Sequence, residues 1–374
     1  MAGLYIHIPY CRSKCAYCDF YSSPCSETAD AYIDALISEL RLRKSEIAGE
    51  PVKTIYIGGG TPSSLSHQQF AKLMLGIWEE IDTSEVVEST IEVNPDDVTP
   101  EFLNHVKSLG VNRVSMGVQS LNDAELKAVG RRHSADGALS AIKDVASAFD
   151  NFSLDIIFGL PGQTIATLSD TLDQIIAFQP SHLSAYLLSY EPGTRLYAAL
   201  MASKIKEVSD SEAEGMYRLV TDRLRSTGYE HYEISNYARP GLRSRHNSSY
   251  WSMTPYLGLG SSAHSFDGKI RRYNPSSIKS YIEVINSGKC CYIIDDEAEW
   301  QQFNDLILVS MRTSEGLSLS RLDSMPRHYV DDFTAQLRPL LSQGAVIMGN
   351  GSIKIPERNW LTSDAIIREL ILSY

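Results

Sequence analysis

The sequence predicts an α/β protein: an incomplete (β/α)6, TIM-like barrel of parallel strands followed by a mainly helical C-terminal domain. Three observations carry this prediction. From residue 4 to about 190, short apolar runs alternate with amphipathic helical segments, the order that a parallel sheet requires. Polar and glycine-rich residues gather at the C-terminal end of each run, the rim where β/α barrels carry their active sites. After about residue 205 the alternation stops, and a compact tail of helices with one hairpin begins near residue 297.

The strands are read at 4–10 (LYIHIPY), 54–60 (TIYIGGG), 89–95 (STIEVNP), 113–119 (RVSMGVQ), 152–160 (FSLDIIFGL) and 182–190 (HLSAYLLSY). Several are close to continuously apolar, as in strands buried on both faces. Between them, residues 29–43 place Ile33, Leu36, Ile37 and Leu40 on one helical face. The helix at 99–110 opens on Thr99 and Pro100 and ends on Gly110. The one at 164–180 stops at Pro180. A further helix from about 211 ends near Gly228, and residues 229–275 are rich in Tyr, Asn and Gly without a clear period. The tail reads as helices at 300–312, 328–344 and 363–374 around a hairpin at 345–355 that turns at Asn350-Gly351. Helices with a hairpin suggest a winged-helix-like domain, a packing cap or a DNA reader. Residues 297–374 carry seven Lys and Arg against ten Asp and Glu, which excludes the broad phosphate footprint of a DNA reader. The division expected is a core barrel at 1–235, with its repeats mainly at 4–205, a connecting segment at 236–290 and the helical domain at 291–374.

The chain has 374 residues, 43% hydrophobic and 21% charged, with a net charge of −12, an ordinary globular composition that argues against nucleic acid as a partner. It holds no run of about 18 apolar residues, so no membrane-spanning helix is expected. The N-terminus lacks the basic and apolar regions of a secretory signal. A cytoplasmic, reducing location is therefore expected, where clustered cysteines serve as metal ligands or reactive thiols.

Cys11, Cys15 and Cys18 stand within HIPYCRSKCAYCDFYSSPC at residues 7–25, on the loop after the first strand. A zinc staple wants four ligands, which Cys25 or His7 would have to complete. A redox pair needs only two thiols. Three thiolates on a four-iron cluster leave one iron open to a small ligand. Further polar residues sit at strand ends. IGGGTPS (57–63) lets backbone N–H groups approach a ligand. Glu92 is a rim carboxylate or a salt-bridge partner, and Gln119 and Arg131 are site or surface groups. Asp155 lies within an apolar strand and requires a donor, since an unpaired buried carboxylate costs several kcal/mol; a ribose hydroxyl would serve. Cys290 and Cys291 call for no function.

The cysteine loop, with aromatic Tyr17 before the third thiol, resembles the cluster motif of the radical S-adenosylmethionine (SAM) superfamily. The resemblance implies a 4Fe–4S cluster on Cys11, Cys15 and Cys18 whose open iron binds the amino and carboxylate groups of SAM, and whose electron cleaves the sulfonium to a 5′-deoxyadenosyl radical. It implies SAM contacts at Gly58, Gly59, Gly60, Thr61, Glu92, Gln119, Arg131 and Asp155, with fainter ones at Tyr5, Tyr17, Ser189 and His264, and an electron donor such as a flavodoxin or ferredoxin.

YIHIPYC, GGGTPS, IEVNP, NRVSMGVQS, DIIFGLPGQT, YEISNYA and GLGSSAHS run in the order seen in the oxygen-independent coproporphyrinogen III oxidase-like group, and span most of residues 5–265. Within it, true oxidases carry a fourth cysteine two residues after the third and a long N-terminal extension. Here Phe20 stands at that position and ten residues precede Cys11, which leaves oxidative decarboxylation of coproporphyrinogen III as the rival reading. The chain looks like the haem chaperone subgroup, whose His-Asn-x-x-Tyr-Trp motif matches His246, Asn247, Tyr250 and Trp251. That resemblance implies haem as ligand and haem-acceptor proteins as partners. An exposed imidazole at His246 would ligate iron, Tyr250 and Trp251 would offer flat faces to a porphyrin, and Arg243 and Arg245 would pair with propionates.

Overall fold

The computed structural model describes every residue except Cys25, Ala48 and Tyr374; Cys25, weighed as a fourth metal ligand, thus lies outside the described residues. Six parallel strands come first: β1 (Ala2–Ile8), β2 (Val52–Gly59), β3 (Glu88–Val93), β4 (Arg113–Gln119), β5 (Phe152–Phe158) and β6 (His182–Leu187). Helices α1 (Ala29–Arg43), α2 (His67–Glu80), α3 (Pro100–Ser108), α4 (Asp123–Ala128), α5 (Ala135–Ala148) and α6 (Ile165–Ala177) connect them. Their starts follow from local chemistry: Thr99, Ser134 and Thr164 each accept a backbone N–H of the first turn. Next come α7 (Arg195–Met201), α8 (Asp210–Ser226), β7 (Glu230–Glu233), β8 (Asn236–Ala238), α9 (Arg245–Trp251), β9 (Tyr256–Leu259), β10 (His264–Phe266), β11 (Arg271–Tyr273), α10 (Ile278–Asn286) and β12 (Ile293–Asp295).

One sheet contains all twelve strands in the order β12-β11-β10-β9-β1-β2-β3-β4-β5-β6-β8-β7. Strand β9 joins β1 in parallel, so seven parallel strands form the barrel wall, and antiparallel strands finish each end. The wall is an incomplete, α/β barrel, as the strand pattern predicts. The segment 236–290, expected to be a connection, instead supplies β8 to β11 at both ends of the sheet. Strands of three or four residues are too short to show a period of two.

The strands are also less uniformly apolar than their sequences suggest. One face carries Leu4, Ile6, Ile55, Ile57, Val114, Met116, Leu154 and Ile156, all buried in the main core beneath the helices. The alternate residues point into the barrel and are polar or small, including Tyr5 and His7, Thr54 and Tyr56, Glu88 and Glu92, Arg113 and Ser115, Ser153 and Asp155, and His182 and Ser184. Strand register sets these side by side, for example Tyr5 beside Tyr56 and Asp155 beside Ser184. A polar lining of this kind fits a ligand chamber rather than a packed barrel core.

The tail holds α11 (Glu299–Ser310), β13 (Leu317–Ser318), α12 (Leu319–Asp323), α13 (Arg327–Ser342), β14 (Ile347–Gly349), β15 (Ser352–Lys354) and α14 (Ser363–Leu370). Asn350 and Gly351 both take positive φ, 52° and 76°, as the predicted two-residue turn requires. The hairpin gains a third strand, β13, paired with β15. The tail docks on the β7–β8 hairpin: Ile234 N–H donates to Arg312 O at 3.2 Å, and the His231 ring lies 4.4 Å from that of Trp360. Among the described residues no helix is long and apolar enough to cross a membrane.

Candidate functional site

Two adjoining cavities open at the C-terminal end of the barrel strands. The smaller, about 540 Å³, is lined by all three loop cysteines together with Gly59, Gly60, Thr61, Glu92, Gln119, Arg131, Asp155 and Ser189. The larger, about 1200 Å³, is lined by Tyr5, His7, Tyr56, Asn247, Tyr250, Trp251 and His264 among others. Lys14, Asp19, Phe20, Glu92 and Tyr186 line both, so Phe20, the residue at the fourth-cysteine position, stands on the shared wall.

The cysteine loop is tied down by its backbone. Cys11 N–H donates to Ser23 O at 3.1 Å, and Ala16 bridges Val129 O and Leu196 N–H at 2.9 and 2.8 Å. Tyr17 packs on the small apolar cluster of Val129, Leu160 and Leu196 while one side faces the cavity. Cys11 Sγ lies 3.2 Å from Thr61 Oγ1, and Arg131 Nη1–H donates to Cys15 Sγ at 3.4 Å. Burial raises the pKa of the Cys11 and Cys18 thiols, a shift that metal binding reverses by displacing the proton. Three thiolates on this one loop, all lining the same cavity, would each hold one iron of a four-iron cluster and leave the fourth iron open to a ligand.

Opposite the loop, a Cβ on Gly60 would stand 2.7 Å from Ile8 O, so only glycine lets the two segments approach. Gly59 takes φ +104° and its N–H donates to Glu92 Oε2 at 3.0 Å. Tyr56 O–H donates to the other oxygen at 2.7 Å. Burial raises the Glu92 pKa, which favours a cationic group beside it. Gly58 does not line the cavity; a Cβ there would collide with the Tyr56 ring and the Glu92 carboxyl. Gln119 sits in the left-handed region at φ 67°, an uncommon and strained state for a side-chain-bearing residue, at an irregularity in the β4–β5 register. Arg131 Nη2–H donates to Gly117 O at 2.5 Å, and its buried Nε has no hydrogen-bond partner among the described residues. Asp155 does find donors: the hydroxyls of Ser115, at 3.2 Å, and Ser153, at 3.4 Å.

Tyr5 and His264 are not brought to the cysteine pocket. Both line the larger cavity alone; Tyr5 O–H bonds His7 Nδ1 at 3.0 Å.

The HNSSYW segment forms α9, a short helix set against the starts of β1, β2 and β3. The Glu88 carboxylate accepts the N–H groups of Arg245 and His246, both at 2.9 Å, and Ser244 caps Asn247 N–H. His246, expected to be exposed, is instead fully buried. Its Nδ1 bonds Thr54 Oγ1 and its Nε2 bonds Tyr250 O–H, both at 2.8 Å. Its ring stacks 5.1 Å from that of Tyr56. Burial, then the Arg113 charge, lowers its pKa to about 3, so it is neutral and engaged at both nitrogens. Asn247, Tyr250 and Trp251 do face the large cavity. Arg243 and Arg245 do not line it: Arg243 pairs with Glu315 at 2.6 Å and Glu230 at 3.4 Å.

Sequence reading passed over Tyr186, Glu233, Asn236, Arg271 and Arg312, and weighed His7 only as a zinc ligand; all six line the large cavity. Glu233 and Asn236 lie inside YEISNYA, at the end of β7 and the start of β8 where they pair across the hairpin; the motif itself carried the signal.

A family model of the radical SAM superfamily matches residues 5–175. The chain is 33% identical over 371 residues to the heme chaperone HemW of Bacillus subtilis, covering 98% of each chain. It is 38% identical over 274 residues to that of Haemophilus influenzae, covering 70% and 69%. The structure of Escherichia coli coproporphyrinogen III oxidase (HemN), a radical SAM enzyme, superposes with a TM-score of 0.85 over 99% of this chain and 90% of that one, at 24% identity, and so shares the fold. Being one-third identical to such a relative along nearly its full length, the chain belongs to the heme chaperone HemW family of the radical SAM superfamily.

Proposed function

We propose that this protein is a haem chaperone: it binds haem in the larger cavity, beside a 4Fe–4S cluster and SAM in the smaller one, and passes the haem to acceptor proteins. Membership in the superfamily implies the cluster and SAM. Cys11, Cys15 and Cys18 hold the cluster. Gly59, Gly60 and Thr61 give backbone contacts to SAM; Glu92, Gln119, Arg131 and Asp155 supply its polar contacts, with Ser189 at the edge. When bound, the pair supplies one-electron reductive cleavage of a sulfonium, fed by a donor such as a flavodoxin or ferredoxin in the reducing cytoplasm.

The chain's own residues do the rest. Glu92, desolvated and held by Tyr56 and Gly59, presents negative charge to a cationic ligand. Arg131 bridges the Cys15 thiol and the end of β4. Phe20, about two-thirds exposed, separates the two cavities with an apolar face where the oxidases carry a further thiol.

The observation that carries the reading is the second cavity. Its about 1200 Å³ exceeds an ordinary small-ligand pocket, and Tyr250 and Trp251 of the haem-type hexapeptide open onto it. Anaerobic protein with reconstituted cluster is titrated with haem and then mixed with a haem-free acceptor. A saturable Soret band that moves to the acceptor supports the reading; conversion of coproporphyrinogen III to protoporphyrinogen at catalytic turnover overturns it in favour of the oxidase.

A further inference from the structure

We propose that a small cavity beside the large chamber seats a haem propionate on Arg321, an inference that rests on the haem-chaperone reading above. This cavity, about 220 Å³, lies between the β10–β11 end of the sheet and helices α11 and α12 of the tail. It shares Met253, Phe266 and Arg271 with the large chamber, and Met253 stands two residues past Trp251 of the hexapeptide. Its volume falls below that of an ordinary small-ligand pocket. It suits a side arm of a ligand whose body lies in the large chamber. Haem has such arms, two propionates on one edge of an apolar ring.

The lining fits a carboxylate on an apolar stem. Met253, Phe266, Leu306 and Met325 form an apolar wall, and the unbranched methionines can yield to an entering group. Arg321 is half-buried on the same cavity. Among the described residues its guanidinium has no hydrogen-bond or ion-pair partner; only its backbone is engaged, accepting from Ser324 O–H at 2.7 Å. A desolvated charge is destabilising unless it is paired. The planar guanidinium matches a carboxylate through two parallel N–H···O bonds, so a propionate supplies what the protein does not.

Two carboxylates, Glu297 and Asp305, line the same cavity without serving Arg321. Asp305 pairs with Arg271 at 2.5 Å, and both carboxyls feel the Arg271 charge. Arg321 responds to burial alone, which lowers its pKa but leaves it a cation. Lys269, exposed on the same lining, also lacks an ion pair among the described residues. With Arg271 and Asp305 paired, Arg321 and Lys269 outweigh the remaining carboxylate, Glu297, and the cavity favours an anion. Arg243 and Arg245, which the sequence offered for propionates, line neither cavity; Arg321 takes the role expected of them.

The test titrates full-length protein with haem and with haem dimethyl ester, whose esterified propionates carry no charge, followed by Soret absorbance with thermal melts as a folding control. The wild type is expected to bind haem about tenfold more tightly than the ester. Arg321→Gln is expected to lose that preference by weakening haem alone, with the ester affinity unchanged, and Arg321→Lys, which keeps the charge, to recover part of it. Arg243→Gln is expected to keep the wild-type preference. Equal binding of haem and ester by the wild type overturns the assignment. So does a wild-type preference in Arg321→Gln, an equal loss for both ligands in that variant at an unchanged melting temperature, or loss of the preference in Arg243→Gln. Should Arg321→Gln melt early, Arg321→Lys decides: a preference no smaller than that of the wild type overturns the assignment. Failure of the wild type to bind either ligand overturns the chaperone reading itself, and is seen before any variant is made.

Discussion

At the scale of single residues, the barrel interior is governed by burial acting on titratable groups. His246 donates or accepts at both ring nitrogens, so His246→Ala leaves Thr54 and Tyr250 without partners. Each orphaned buried group costs roughly 1–3 kcal/mol, and a ring-sized void adds to this. We expect the urea midpoint of His246→Ala to fall by an amount equivalent to about 3 kcal/mol or more, with iron content unchanged. Glu233 behaves oppositely with pH. Burial pushes its carboxyl up to about 7 from an ordinary 4.5. Between these values the unfolded chain gives up a proton that the native chain keeps. The stability present below pH 4.5 is therefore lost as pH rises through about 7, on the order of 1–3 kcal/mol. Glu233→Gln should remove that slope from a plot of unfolding free energy against pH. His7 and His246, lowered by burial to about 4 and about 3, contribute stability present above pH 6.5 that is lost in acid. The acid limb should therefore persist in Glu233→Gln.

At the scale of elements, the hexapeptide helix α9 is positioned by a strand 158 residues earlier in the chain, through the Glu88 carboxylate on the His246 N–H. Hydrogen bonds to a charged group contribute about 1.5–3 kcal/mol. Glu88→Ala should loosen α9, lower the melting temperature and weaken haem binding through Tyr250 and Trp251, leaving the cluster content intact; a wild-type haem affinity would separate α9 from the haem site. This dependence marks the limit of what the sequence conveyed. The strand–helix units, the cysteine triad and the Asn350-Gly351 turn were legible because spacing along the chain dictates them. His246 was legible as a motif residue but not as a buried one, because its partners Thr54 and Glu88 are remote in sequence. Short strands β8 to β11 were hidden in a stretch without period. The polar inner face was masked by the apolar outer face in the same seven-residue runs. Tyr5 and His264 passed as cofactor contacts because the rim they share with the cysteine pocket divides into two chambers only in three dimensions.

At the scale of the whole molecule, an open sheet leaves a gap that the helical tail partly covers, and the two chambers meet along Phe20, Glu92 and Tyr186. None of the described cysteines lines the larger one, so the cluster loop and the larger chamber are separable. Cys15→Ser should lose its iron and the spectral response to SAM, yet bind haem within about threefold of the wild type, a change well under 1.4 kcal/mol. On the proposed function, the large chamber carries haem to other proteins rather than remaking a porphyrin. The most direct measurement follows one anaerobic sample, supplied with reductant and SAM, against two additions: haem with a haem-free acceptor, and coproporphyrinogen III. We expect the Soret band to form on the protein and move to the acceptor, with no vinyl product from the porphyrinogen. Protoporphyrinogen formed over many turnovers, with haem neither held nor passed on, would contradict it.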